Sequence, residues 1–229
     1  MTLITSKAGN ALKRAIVFLS GGIDSATALY WTKRMTADIH SLNVLYAQAS
    51  IREAEAARRL AEAAKVKEHI TVQLPFYKEI QTLYHPDPSA EVSSAYVPAR
   101  NLVFYGIATA YAEAIKADSI VFGSNLDDST VLPDATPEFI RRINELLRVG
   151  TRMGIEGNPC EILNPFINLD KQGVLQLSKK LEVPLELTWS CYEDVAEPCG
   201  KCRGCQTRQQ AFTKLGIRDP LRSCLPKRT

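Results

Sequence analysis

Apolar and polar positions along this chain separate short buried strands from longer amphipathic helices. Residues 14–19 (RAIVFL) form an apolar run ended by Ser-Gly-Gly, as in a strand buried on both faces. Residues 24–35 follow, with Ala28, Trp31 and Met35 at helical spacing. Residues 41–46 repeat the strand pattern, 52–64 form an Ala/Glu/Arg-rich helix, and 66–74 a third strand closed by Pro75. Two prolines break residues 85–95 into a loop. Beyond Pro98 the pattern predicts a long apolar helix over 101–116 and a strand over 119–122. Residues 124–136 read as a loop. Residues 137–153 read as a helix with Pro137 in its first turn, and 162–163 as a short strand. Asp170 reads as the N-cap of a helix running to 181. Alternating strands and helices predict an α/β fold: a Rossmann-like parallel sheet with helices on both faces.

Composition narrows the class. A chain of 229 residues, 45% hydrophobic, buries a core of its own and is not a disordered or collagen-like polymer. With 28 Lys+Arg against 25 Asp+Glu, the net charge of +3 is too small to argue for nucleic acid or membrane as a partner. The longest apolar runs fall far short of the ~20 residues a membrane span needs. The first thirteen residues are polar and small, a loose leader without the apolar stretch of a signal peptide. These features predict a soluble, cytoplasmic protein.

Four of the six cysteines, Cys191, Cys199, Cys202 and Cys205, crowd into fifteen residues, with Gly200 and Gly204 beside them for tight turns. A disulfide framework belongs to shorter secreted chains, so this cluster predicts a metal. Four sulfurs suit a closed, structural, tetrahedral zinc; the CxxCxxC spacing also suits a [4Fe–4S] cluster. The cluster makes residues 188–229 a small module appended to a domain spanning 1–187. Arg203, Lys201 and Arg208 add local positive charge, which a zinc knuckle touching nucleic acid would also carry.

The turn after the first strand carries the second signal. Leu19, Ser20, Gly21, Gly22, Ile23, Asp24, Ser25, Ala26, Thr27, Ala28 and Leu29 lead from a strand into a helix. A helix N-terminus there offers unpaired N–H groups and a positive dipole end, and two glycines let backbone approach an anion. Ser20, Ser25 and Thr27 add hydroxyl donors, and Asp24 can act through Mg²⁺. The spacing matches neither a Walker A loop nor a GxGxxG fingerprint. It predicts a cradle for pyrophosphate.

This string resembles the signature of the PP-loop ATP pyrophosphatases, which cleave ATP between the α and β phosphates. Joined to the cysteine cluster, it resembles the QueC family of 7-deazaguanine biosynthesis, the 7-cyano-7-deazaguanine synthases. Tyr96 to Asn101 (YVPARN) resembles that family's VPxRN segment, Pro133-Asp134 its PDC segment, and Leu169-Asp170-Lys171 its late DK pair. The four cysteines match the family's zinc ligands. The resemblance implies adenylation of the carboxylate of 7-carboxy-7-deazaguanine by ATP, displacement of AMP by ammonia, and a second ATP-driven step to the nitrile. It implies ATP, Mg²⁺ and structural Zn²⁺, small-molecule partners, and leaves room for a homodimer. Asp24, Arg100 and Lys171 become the catalytic candidates. Arg100 would neutralise the substrate carboxylate or the α-phosphate, and Lys171 would reach the phosphates. Asn101, Asp128 and Asp134 are substrate candidates, the two aspartates for Mg²⁺ or for the guanine-edge donors. The chain departs from the family pattern at Leu45 to Ala49 (LYAQA), at Leu126 to Ser129 (LDDS), and at Leu132 and Ala135 around the Pro-Asp pair. These departures keep two further readings: a relative that stops at the amide or joins the deazaguanine to a macromolecule, and a PP-loop tRNA-modifying enzyme.

Overall fold

The computed structural model describes residues 12–46, 51–85 and 96–223. Five parallel strands make one sheet in the order β3-β2-β1-β4-β5. They are β1 (Ala15–Phe18), β2 (Ile39–Tyr46), β3 (Glu68–Leu74), β4 (Ser119–Val121) and β5 (Glu161–Leu163). Between and after them lie α1 (Ile23–Thr32), α2 (Ile51–Ala64), α3 (Tyr77–Leu83), α4 (Arg100–Ile115), α5 (Leu126–Ser129), α6 (Pro137–Gly150), α7 (Arg152–Ile155), α8 (Lys171–Lys180), α9 (Arg203–Lys214) and α10 (Pro220–Ser223). The predicted α/β class and its parallel sheet are present.

Alternation along β1 sorts the core into two layers. Val17 joins a cluster that includes Leu29 of α1, Leu60 of α2, Val174 of α8 and Phe212 of α9. Ile16 and Phe18 point the other way, into a cluster with Phe104 of α4 and Ile143 of α6. Helices thus cover both faces, which is why the central strand β1 (AIVF) is an unbroken apolar run, whereas the edge strand β3 (EHITVQL) is not.

Several boundaries differ from the sequence pattern. The helix expected over 137–153 breaks at Thr151, whose extended backbone (φ −125°, ψ 153°) and side chain cap α7 through a bond from the Gly154 N–H. The loop expected over 124–136 contains α5 and a 3-10 turn over Pro133–Ala135. The pattern missed α3 and α9. Ala211 and Phe212 of α9 join the main core, so the cysteine segment packs on the sheet domain. Of the expected leader, residues 1–11 lie outside the described part, as do 47–49 of the divergent LYAQA segment, 86–95 of the expected 85–95 loop, and Cys224.

The strand order reverses between β1 and β4, and chain segments leave the carboxyl ends of these neighbours in opposite directions. Such a switch point opens the crevice in which α/β sheets bind ligands.

Candidate active site

The loop from β1 to α1 occupies that crevice. Gly21 has φ +89°, and a Cβ there would lie 2.4 Å from the Glu53 carbonyl oxygen of α2. Only glycine meets both conditions. Gly22 is the N-cap of α1 in extended conformation, and no side chain caps the helix. The first N–H groups of α1 are therefore left for an outside acceptor. Ser25 shapes the loop: its Oγ donates to the Gly22 carbonyl at 3.0 Å and accepts from the Ser20 N–H at 3.2 Å.

Ser20, Gly22, Ile23, Asp24 and Ser25 line a cleft of about 830 Å³. The other residues proposed for the loop sit elsewhere. Leu19, Ala26, Ala28 and Leu29 are fully buried core. Thr27, expected as a hydroxyl donor to the anion, is also fully buried, and its hydroxyl donates to the Ile23 carbonyl at 2.6 Å. That expectation is corrected: the Thr27 hydroxyl is satisfied within its own helix and faces no ligand. Gly21 supports the turn without lining the cleft.

Opposite the loop, α5 and the start of α8 deliver a charged cluster. Lys171 Nζ donates to Asp24 Oδ2 at 2.5 Å, and Asn125 Nδ2 donates to the same oxygen at 3.2 Å. The backbone N–H of Lys171 is held by Asp127 Oδ2 at 3.1 Å. Asn125 and Asp128 form a capping box at the start of α5, at 3.1 and 3.2 Å. Burial first, then the charge of Asp24, raises the Asp128 carboxyl above its ordinary range; the Asn125 N–H and Lys171 oppose the shift. Asp24 Oδ1 is buried without a hydrogen-bond partner. Two facing carboxylates with one such orphan oxygen fit a hard divalent cation such as Mg²⁺.

A third wall comes from the start of α4. Ala99 takes a left-handed backbone (φ 51°, ψ 20°), a conformation that costs a non-glycine residue about 1 kcal/mol. It aims the chain so that Arg100 reaches the cleft, where its guanidinium donates to the Tyr46 hydroxyl at 3.0 Å and lies 5.5 Å from that ring's centroid. Asn101 and Asp134 stay behind Arg100, whose Nε donates to Asn101 Oδ1 at 3.4 Å. Asn101 donates its backbone N–H to Asp134 Oδ2 at 3.2 Å and its Nδ2 to the Asp134 carbonyl at 3.1 Å. Both residues are buried and neither lines the cleft. They brace α4 against the 3-10 turn.

Sequence reasoning missed the fourth wall. Trp189, Ser190, Tyr192, Asp194, Arg203, Gly204, Thr207 and Arg208 all line the cleft, and all belong to the cysteine segment. The Trp189 N–H donates to the Gly21 carbonyl at 2.8 Å, and Asp194 Oδ1 accepts the Ile51 N–H at the start of α2 at 2.9 Å. Arg208 is buried and holds Asp219 with two bonds, at 2.7 and 2.8 Å, while also donating to Thr188 Oγ1 and the Leu185 carbonyl. Gly204 beside the cysteines, packed against the Ser190 carbonyl, was the available signal.

The four cysteine sulfurs lie within 4.8 Å of one another, two pairs at 4.0 Å. A tetrahedral ion with sulfurs at about 2.3 Å sets them about 3.8 Å apart, so the donor set fits one metal ion. Backbone N–H groups of Cys202 and Lys201 point at Cys199 Sγ and, with the first dominant, lower its thiol to about 6. The N–H groups of Cys199, Tyr192 and Cys205 point at the sulfurs of Cys191 and Cys202. Such N–H···S contacts suit thiolates.

The sheet order, the uncapped glycine loop at the switch point and the four-cysteine cluster define the class: a doubly covered parallel α/β protein with a helix N-terminus open to its cleft. The family model described as "Queuosine biosynthesis protein QueC" matches residues 14–216, and the chain belongs to that family. It is 38% identical over 226 residues to a 7-cyano-7-deazaguanine synthase of Thermosynechococcus vestitus, covering 91% of this chain and 95% of the relative. A protein of the same name from Acetivibrio thermocellus is 33% identical over 225 residues, covering 92% and 97%. Among solved structures, NMN synthetase from Francisella tularensis aligns with a TM-score of 0.47 at 18% identity, over 90% of this chain and 79% of that one. Among the described residues, no helix is long and apolar enough to cross a membrane.

Proposed function

We propose that this protein is an ATP-dependent carbon–nitrogen ligase that converts 7-carboxy-7-deazaguanine and ammonia to 7-cyano-7-deazaguanine, releasing AMP and pyrophosphate. The supporting observation is one cleft in which an uncapped helix N-terminus and an Asp24–Lys171 cluster share space with Arg100. The N–H groups of α1 and the Ser20 hydroxyl hold the β and γ phosphates, so the α-phosphorus faces the cleft. Lys171 leaves Asp24 for the phosphates and stabilises charge on the departing pyrophosphate. Asp24 and Asp128 would hold Mg²⁺, whose charge offsets that of the triphosphate.

Arg100, steadied by Tyr46, pairs with the substrate carboxylate and aims one oxygen at the α-phosphorus. That oxygen attacks and pyrophosphate leaves. Ammonia then adds to the acyl carbon and AMP departs, giving the amide. In the second round the amide oxygen attacks a second α-phosphorus. Loss of AMP, with the nitrogen's protons passing to water, leaves the nitrile. Both rounds use the same oxygen-to-phosphorus attack, so one cleft serves twice. Cys191, Cys199, Cys202 and Cys205 would hold Zn²⁺ in a closed structural site with no position left for substrate.

The test incubates the protein with Mg-ATP, ammonium and 7-carboxy-7-deazaguanine and identifies every product by mass. The expected result is the nitrile with two AMP and two pyrophosphate per molecule. ADP, or no turnover, overturns the proposal; AMP with amide alone restricts it to the first half.

A further inference from the structure

Three aromatic residues line the cleft among those described: Tyr46, Trp189 and Tyr192. Two are committed. Trp189 is 8% exposed, packed against Cys191 and Cys205, and its indole N–H donates to the Cys191 carbonyl at 2.9 Å. Tyr46 carries the Arg100 guanidinium and meets the rings of Tyr77 and Phe104. Tyr192 is different: it is 55% exposed, although it stands in a cleft and is braced from behind.

The brace has two parts. The Tyr192 N–H points at Cys202 Sγ at 3.5 Å, so the cysteine cluster fixes its backbone. Its ring edge lies against Gly204, where an added Cβ would come within 3.0 Å of Tyr192 Cε1 and 1.9 Å of the Ser190 carbonyl oxygen. A Cβ there would collide first with the Ser190 backbone and would also crowd this ring. An aromatic face held open to solvent on a rigid support forgoes burial of its own surface. Ordered rings of this kind serve as stacking platforms for flat heterocycles.

We infer that Tyr192 is the stacking wall for a flat bicyclic heteroaromatic ring, and that the four-cysteine centre acts in binding by holding this wall. The inference rests on the proposed activity, which supplies two such rings: the adenine of ATP and the deazaguanine of the substrate.

The experiment measures, by calorimetry, the Kd of 7-carboxy-7-deazaguanine and, separately, of Mg²⁺ with α,β-methylene-ATP. Wild type, Tyr192→Phe, Tyr192→Leu and Tyr192→Ala are compared, each with its metal content measured. Stacking of about 1–3 kcal/mol predicts that Leu and Ala weaken one of the two ligands about 5- to 150-fold while the other stays within about 2-fold. Tyr192→Phe should stay within about 2-fold for both, and the metal should remain at one per chain. The ligand that weakens identifies the ring. Unchanged affinities in a metal-replete Tyr192→Leu overturn the inference, as does a Tyr192→Phe variant as weak as Tyr192→Ala. If Tyr192→Ala loses metal, Tyr192→Leu, which keeps most of the apolar volume, decides the matter. Wild type that binds the nucleotide but not the carboxylate refutes the proposed substrate, and the nucleotide titrations then judge Tyr192 alone. Wild type that binds neither overturns both.

Discussion

Asp24 and Lys171 are 147 positions apart, and their contact is the point where charge in the cleft is balanced. Each was legible alone, Asp24 from the glycine string and Lys171 from the late DK pair. Their pairing was not, because salt-bridge partners carry no pattern of spacing across separate elements. Lys171→Met should lower kcat/KM for ATP by about 10²-fold or more, the scale for losing one donor to a developing anion. Asp24→Ala should abolish turnover with zinc content unchanged. Steady-state kinetics with elemental analysis checks both; retained activity in either variant removes that residue from the mechanism. Asn101 and Asp134 give the opposite lesson. A motif marked them for substrate, and the fold pairs them with each other behind the wall.

His69 provides a titration at the same scale. Its ring is hydrogen-bonded to Ser41 Oγ at 2.8 Å, and burial, aided by Arg58, lowers its pKa below the ordinary 6.5. The folded state therefore binds this proton less readily than the unfolded chain. The associated stability is present above about pH 6.5 and is lost as pH falls through the folded-state pKa. Chemical denaturation from pH 7.5 to 5 should show wild type losing more stability than His69→Gln over that interval; parallel losses would place the acid sensitivity elsewhere.

At the level of elements, strands and long helices followed their periodicity, since each buries a face against the same sheet. Short elements did not. The helix α5 is four residues held by the Asn125–Asp128 capping box, and α7 by the Thr151 cap. Such pieces are set by local hydrogen bonds rather than by an apolar stripe. The helix α9 was hidden by its polar sequence RGCQTRQQAFTK, in which the buried face comprises Cys205, Arg208, Ala211 and Phe212. A buried arginine reads as surface until its Asp219 partner is seen. Gly204→Ala should destabilise the protein by about 1–3 kcal/mol, because its Cβ meets backbone that cannot turn aside. Thermal denaturation should show a lowered Tm, whereas Gly106→Ala, with open space around it, should not lose stability.

In the whole molecule the cysteine centre joins three parts: the glycine loop through Trp189, the start of α2 through Asp194, and the main core through α9. Removing its metal should therefore release the cleft wall as well as the C-terminal segment. Treatment with a strong chelator should lower Tm, shift Trp189 emission to the red and abolish nucleotide binding, all reversed by adding back zinc. An unchanged nucleotide Kd after metal loss would make the centre independent of the cleft.

The sequence by itself determined the parallel α/β class, the glycine turn that opens α1, the clustered cysteines and membership of the family. Each of these is written in short-range pattern: apolar period, adjacent glycines, cysteine spacing. Only the tertiary structure decided that the cysteine segment walls the cleft, that Lys171 meets Asp24, and that Tyr192 stands open beside them. These depend on distances between residues far apart in the chain, which are set when helices from both ends of the sequence pack on one sheet.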